Sequence, residues 1–303
     1  MSENGTPAAA DPVRQWRQWR EAPSQGTAQG SLFPAPVKGG ERRPEAAWER
    51  ALEEAPEPEP ETVLLDGFHA LKHALRFGAE VRTALTSDRE AVLALADDLA
   101  PDVRERVAGL LTEVPLETLR ELVPRVHPTR VAALALRPDR TANLGLLTER
   151  PRRSPVVVLD NPRNLGNVGA VVRLAAGFGA TGVVTTGDID PWHPNAVRAG
   201  AGLHYATAVE RLPGDGLPPG PLLVLDPEGE DIRSMTLPDD ALLVFGSERH
   251  GVSPELRSRA TRLLALPMRP QVSSYNLATS VAMALFHWGG TPDQAGPTDR
   301  PRA

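Results

Sequence analysis

The amino-acid sequence predicts an α/β protein in which a C-terminal parallel sheet, covered by helices on both faces, is preceded by a smaller α/β domain. Three observations carry this. PVVVLD, GVVTT, PLLVLD, ALLVF and RLLAL are short continuous apolar runs between residues 155 and 266, the pattern of strands buried on both faces. The segments between them carry helix-start signals near Val168, Asn195 and Glu255, so strands and helices alternate as in a doubly wound fold. Upstream, residues 61–138 hold several helix signals and few strand candidates, which marks them as a separate domain.

Taken in order, residues 1–60 are rich in Pro, Gly, Ala and Glu, run into EEAPEPEPE and hold few large apolar groups, so a disordered extension is expected. Within it, RQWRQWR interleaves Arg14, Arg17 and Arg20 with Trp16 and Trp19. Such a stripe suits stacking on RNA with phosphate contacts; the plainer readings are a disordered tail or a short packing helix. In 61–138, DGFHALKHAL predicts a helix from near Gly67, and SDREAVLALADDLA one capped by Ser87 or Asp88 with Glu90 in its first turn. PDVRERVAGLL and PLETLREL are further helices and VAALAL a buried strand. His69, His73 and His127 have no partners at metal-ligand spacing and are expected to be structural. Residues 139–153 are expected to be a linker, 154–290 the sheet domain and 291–303 a disordered tail.

Composition limits the function. Cys is absent, which excludes disulfides, a thiol nucleophile and a Cys-based zinc site, and suits a reducing cytoplasm. No apolar run approaches the roughly 20 residues of a membrane span. A net charge of −6 argues against nucleic-acid binding by bulk charge and leaves a local basic patch as the route to RNA. No His/carboxylate cluster suggests a metal.

Ligands of such sheets bind at the carboxyl ends of the strands, and three loops there carry the chemistry. In LDNPRNLGNVGAVVRLAAGFGA, Gly166 and Gly169 permit a tight turn and close approach to a partner, and Asn167 suits a helix N-cap. Arg173 follows six residues on, near enough to reach the same strand end, and Gly179 suits the helix C-terminus. Alone, this loop also fits a degenerate dinucleotide fingerprint with Asp188 as its acid, though GNVG lacks the GxGxxG form. In VFGSERHGVSPEL, Gly246 and Gly251 bracket Ser247, Glu248, Arg249 and His250, a loop folded back on a ligand, and Ser253 caps a helix. In LLALPMRPQVSSYNLATSVAMALFHW, Ser273, Ser274, Tyr275 and Asn276 open a helix whose apolar face is Leu277, Val281, Ala284, Leu285 and Trp288.

Together the three loops resemble the SpoU (TrmH-type) family of RNA ribose 2′-O-methyltransferases, in the SPOUT superfamily. Asn167 and Arg173 match its Asn-x-x-x-x-x-Arg; Gly246, Ser247, Glu248 and Gly251 match its Gly-Asn/Ser-Glu-x-x-Gly; Pro267, Met268, Ser274 and Asn276 match its Pro-Met and Ser-Leu-Asn. Tyr275 stands where the family usually has Leu. The resemblance, over about 62–288, implies a trefoil-knotted catalytic domain behind a ribosomal-protein-like α/β domain that binds substrate. It implies S-adenosyl-L-methionine in a pocket made by Gly246, Leu266, Met268, Ser274 and Tyr275, a homodimer packed through its C-terminal helices, and no metal.

On that resemblance, Arg173 stands at the ribose hydroxyl, as base or as electrostatic stabiliser of the alkoxide. A guanidinium with a pKa above about 12 is a poor base, which favours stabilisation and phosphate positioning. Asn167 would orient Arg173, Glu248 would fix the second loop or Arg173, and Ser274 and Asn276 would hold the third loop and the RNA backbone. Ribosomal RNA is the first expected substrate and transfer RNA the second. A catalytically inactive RNA-binding member and a dinucleotide-dependent oxidoreductase are the competing functions.

Overall fold

A computed structural model describes residues 11–21, 61–123 and 125–289. The extension expected over 1–60 lies outside the described residues save for 11–21, as does the tail expected over 291–303. The chain falls into two units, one of residues 60–137 with the N-terminal segment and one from residue 138 onward.

In the first unit, strands β1 (Thr62–Asp66), β2 (Val81–Thr86), β3 (Leu111–Glu113) and β4 (Val131–Leu136) form a sheet of order β1-β4-β2-β3. β4 is antiparallel to both neighbours and β2 is parallel to β3. Residues 12–21, inside the expected extension, form helix α1 (Pro12–Glu21). Of the readings open for RQWRQWR, the packing helix is the one found: Trp16 is fully buried among Leu64, Leu85, Leu119, Val123 and Leu134. An indole buries on the order of 200 Å², so Trp16 anchors this short polar helix to the core of the first unit. Arg14 and Arg17 on the same helix are exposed. Helices α2 (Phe68–Arg76), α3 (Arg89–Leu99), α4 (Arg104–Leu110) and α5 (Leu116–Leu122) follow, and Asp88 caps α3 by accepting from Ala91 N at 3.0 Å.

The second unit opens with helix α6 (Arg140–Thr148), where a linker was expected. Leu144 and Leu147 seat it on the sheet core, and Asp139 caps it. Six strands then form an all-parallel sheet of order β10-β8-β9-β5-β6-β7: β5 (Val156–Leu159), β6 (Gly182–Thr185), β7 (Ala208–Arg211), β8 (Leu222–Asp231), β9 (Leu242–Phe245) and β10 (Arg262–Ala265). Five of these are the apolar runs. The sixth, β7, is short and holds Glu210, which is buried beside Asn143 Nδ2 at 2.9 Å and Arg140 Nε at 3.6 Å. Helices α7 (Leu165–Phe178), α8 (Pro194–Ala199), α9 (Pro254–Ser258) and α10 (Leu277–Gly289) complete the unit, and α10 packs on α7 and β9. Among the described residues no helix is long and apolar enough to cross a membrane.

Successive strands β5, β6 and β7 run to one side of β5, and β8, β9 and β10 lie on the other. The carboxyl ends of β5 and β9 therefore flank the point where strand order reverses, the place at which open α/β sheets bind ligands.

Candidate active site

The turn after β5 is set by Asp160 and Asn164. Asp160 is buried and divides its carboxyl oxygens, one accepting from Thr186 Oγ1 at 2.7 Å and the other from Ser253 N at 2.6 Å. It thereby fastens the loop after β9 to the end of β5. Asn164 caps α7, accepting from Asn167 N at 3.1 Å. This corrects the expectation that Asn167 is the cap. With Asn164 in that role, the Asn167 side chain is available for contacts beyond its own helix.

It uses them to join the other two loops. Asn167 Nδ2 donates to Glu248 Oε1 at 2.7 Å, and Asn167 Oδ1 accepts from Asn276 Nδ2 at 3.1 Å. Asn276 Oδ1 accepts from Ala278 N at 2.9 Å and Thr279 N at 3.4 Å, so it also caps α10. One residue from each motif thus meets at the strand ends. Among the described residues Glu248 binds Asn167 and not Arg173.

Arg173 stands further along α7, exposed, with no hydrogen bond or ion pair to any described residue. The expected orienting contact from Asn167 is absent among the described residues: six residues along a helix is about 9 Å of rise and roughly 120° around the axis. Arg163, Arg249 and Arg269, on the three loops themselves, are likewise exposed and unpaired among the described residues. The three adjoining loops thus each present an exposed guanidinium to solvent.

The second loop folds back on itself. Ser247 N and Gly251 N each donate to the other's carbonyl at 3.0 Å, Gly251 has φ 67°, and Ser253 caps α9, accepting from Leu256 N at 3.4 Å. A Cβ on Gly246 would fall within 3.0 Å of Gly251 C, Gly251 O and Val252 N, so only Gly lets the two sides of the loop close. Gly169 has a different partner from the one expected: a Cβ there would meet Ala199 Cβ at 2.6 Å and Gly200 N at 2.7 Å, so it permits α7 to cross α8. Gly179 ends α7 with φ 72°, as expected of a C-terminal Gly.

In the third loop the Tyr275 hydroxyl donates to Pro267 O at 2.9 Å, closing the loop across its base, with the ring part exposed. Leu266 and Met268 are half-buried, while Ser273 and Ser274 are exposed. The structure brings together Asn167, Glu248 and Asn276, and leaves Arg173 and Ser274 reaching solvent. Sequence reading missed Asp160, Thr186 and Asn164; an Asp ending a buried strand just before a Pro-containing turn was the one available signal for the first.

Residues 154–286 match the model of the SpoU rRNA Methylase family. The chain is 27% identical over 282 residues to a mouse protein named mitochondrial rRNA methyltransferase 3, covering 74% of this chain and 66% of that one. It is 25% identical over 239 residues to the 23S rRNA (uridine(2479)-2′-O)-methyltransferase of Streptomyces viridochromogenes, covering 74% and 80%. Its fold is similar to the crystal structure of the SpoU methyltransferase AviRb from Streptomyces viridochromogenes in complex with AdoMet, at TM-score 0.61 and 24% identity over 74% of this chain and 88% of that one. Residues 154–286, less than half of the chain, are thus similar to the SpoU rRNA Methylase family.

Proposed function

We propose that this protein transfers a methyl group from S-adenosyl-L-methionine to a ribose 2′-OH of RNA, with ribosomal RNA as the substrate and transfer RNA as the second possibility. The observation that carries it is the Glu248–Asn167–Asn276 chain of hydrogen bonds, which joins the three motif loops, with Arg173 exposed on the same helix as Asn167 and unpaired among the described residues. An oxidoreductase reading leaves that convergence without a purpose. The relatives named as rRNA 2′-O-methyltransferases support the reaction class.

The residues present suit the methyl donor. Half-buried Leu266 and Met268 offer apolar surface for a purine, and the backbone of the closed Gly246–Gly251 turn and of the 267–276 loop offers polar groups for its edge. Tyr275 keeps the third loop closed through Pro267, which is how a phenol takes the place of an apolar side chain there. Bound at these residues, S-adenosyl-L-methionine would supply a methyl group on a sulfonium.

The chain's own part is positioning and charge. Arg173 stabilises negative charge on the 2′-oxygen and holds the adjoining phosphate, in keeping with a guanidinium that no carboxylate among the described residues neutralises. Asn167 and Glu248 hold the second loop, Asn276 holds the third, and Ser274 faces the RNA backbone. Arg163, Arg249 and Arg269 add phosphate contacts around the site.

The reading includes three further points. The catalytic domain is the trefoil-knotted form, supported by the return of the chain from edge strand β10 to α10 against α7 and β9. It works as a homodimer through its C-terminal helix, supported by Phe286, which is 71% exposed on α10. The first unit is the ribosomal-protein-like substrate-binding domain, in a protein of the reducing cytoplasm.

The test is transfer of labelled methyl onto unmodified ribosomal RNA and, separately, transfer RNA, with mapping of the modified ribose. Label in one pool establishes reaction and substrate class together. Arg173→Ala should abolish transfer while S-adenosyl-L-methionine affinity stays within a few fold; near-normal turnover would remove Arg173 from the mechanism.

A further inference from the structure

The second loop leaves β9 at Gly246 and reaches α9 at Ser253, and both of its ends meet one residue. Asp160 N donates to Phe245 O at 2.8 Å, one step beyond the β5–β9 ladder. At the other end the Asp160 carboxylate accepts from Ser253 N at 2.6 Å. The entry and exit of the loop are thus clasped by the main chain and the side chain of a single residue. Between them lies the Ser247–Gly251 pair, and Glu248 meets Asn167.

The carboxylate is fixed by its surroundings. Asp160 is 6% exposed, and no Lys, Arg or His pairs with it among the described residues. Its second oxygen accepts from Thr186 Oγ1 at 2.7 Å. That hydroxyl itself accepts from Asn161 N at 2.9 Å, and Thr186 N donates to Leu159 O at 2.9 Å. The end of β6 is therefore tied to the same residue as the second loop. A carboxylate accepts on both oxygens, whereas an amide of the same size turns an NH2 toward one of the two donors. In a site this buried, a donor left without its acceptor costs more than the bond returned.

We propose that Asp160 is a positioning residue for the methyl donor, setting the width of the second loop without touching the reacting atoms. The inference rests on the methyltransferase reading and adds to it a residue outside the three motifs. The backbone that the second loop offers to a purine keeps its spacing only while both ends stay clasped. Loss of the clasp therefore acts on donor affinity and spares the chemical step. A merely structural role would lower stability and the active fraction, which reduces kcat and leaves KM alone.

The test uses the full chain, S-adenosyl-L-methionine and, for turnover, whichever RNA the parent protein methylates. Asp160→Asn should raise the calorimetric Kd for S-adenosyl-L-methionine about tenfold, the effect of one lost hydrogen bond to a charged group. KM for the donor should rise with it, while kcat falls less than about threefold. Ser253 has φ −59° and ψ 148°, so proline fits there and takes away the N–H together with the hydroxyl. Ser253→Pro should weaken donor binding as Asp160→Asn does, whereas Ser253→Ala, which loses only the cap on Leu256 N, should not. The double variant Asp160→Asn/Ser253→Pro should be close to the weaker single one, since both break the same bond. Amide exchange at Ser247 and Gly251 in the donor-free protein should quicken in both single variants. Parental Kd in Asp160→Asn and Ser253→Pro, with the parent binding the donor, would overturn the clasp and leave the methyltransferase reading intact. A fall in kcat with KM unchanged would make Asp160 a structural residue and overturn the proposal as well. A parent protein that binds no donor would overturn both readings.

Discussion

Gly246→Ala is the sharpest test of the second loop. The added Cβ would sit within 3.0 Å of three backbone atoms of Gly251 and Val252, and ordinary contact begins near 3.4 Å. The nearest of them, Gly251 C, lies so close that the two sides of the loop must part by more than 1 Å. The paired Ser247–Gly251 bonds start at 3.0 Å, so the same displacement breaks them. Two backbone hydrogen bonds at about 1 kcal/mol each, with part of the about 1–3 kcal/mol of overpacking relieved by the opening, give a loss of about 2–3 kcal/mol. For a unit of this size that lowers the Tm by about 4–12 °C. The fold should survive, because Asp160 still holds Ser253 at the far end of the loop. Binding of S-adenosyl-L-methionine should weaken at least tenfold by titration calorimetry, while RNA affinity in a filter assay changes little. A variant with parental Tm and parental cofactor affinity would refute the view that closure of this loop makes the pocket.

Three other substitutions follow from the same geometry. Asn167→Ala removes two exposed hydrogen bonds, about 1 kcal/mol after solvent is allowed for, yet single-turnover methyl transfer should fall about a hundredfold as the loops lose registration; Asn167→Asp should be worse, since it sets a carboxylate against Glu248. Tyr275→Phe loses one bond to Pro267 O and should lower the Tm by less than about 4 °C while weakening cofactor binding a few fold; no change in binding would show that the phenol is dispensable. Trp16→Ala should cost the first unit about 3–5 kcal/mol by chemical denaturation and leave S-adenosyl-L-methionine affinity untouched, and a loss below about 1 kcal/mol would mean that α1 is not part of that core.

Much of the second unit was legible because strands buried on both faces write themselves as apolar runs, and five of six did so. β7 escaped because Ala-Val-Glu-Arg is too short and too polar; its Glu210 is tolerable only beside Asn143 and Arg140, partners about 70 residues away that periodicity cannot supply. α6 escaped because the Pro and charged residues around it look like linker, although Leu144 and Leu147 at a spacing of three were there to be read. The motif residues could be picked out individually, but their roles could not. Whether Asn164 or Asn167 caps α7 depends on which side chain turns back, and both are good caps in sequence. The joining of Asn167 to Glu248 and Asn276 spans 81 and 109 residues and exists only because the strand order reverses beside β5. α1 was one of several readings open for RQWRQWR, inside a segment expected to be disordered, and it was hidden by the composition around it, since a single buried Trp does not move an average.

The three-residue chain at the strand ends also has a direction. A backbone N–H of α10 can only donate, so it fixes the oxygen of the Asn276 amide; that turns the Asn276 nitrogen toward Asn167, and the Asn167 nitrogen in turn toward a carboxylate that can only accept. Both amides are thus oriented from their two ends, and flipping either one breaks its neighbours' bonds as well as its own. The helix terminus and the tip of the second loop are in this way read out by a single line of aligned dipoles, each reinforcing the next. Anything that pulls Glu248 away is felt at the first turn of α10, and a substrate that rearranges α10 is felt at Glu248. A displacement of either loop thus weakens the hydrogen bond that orients the other.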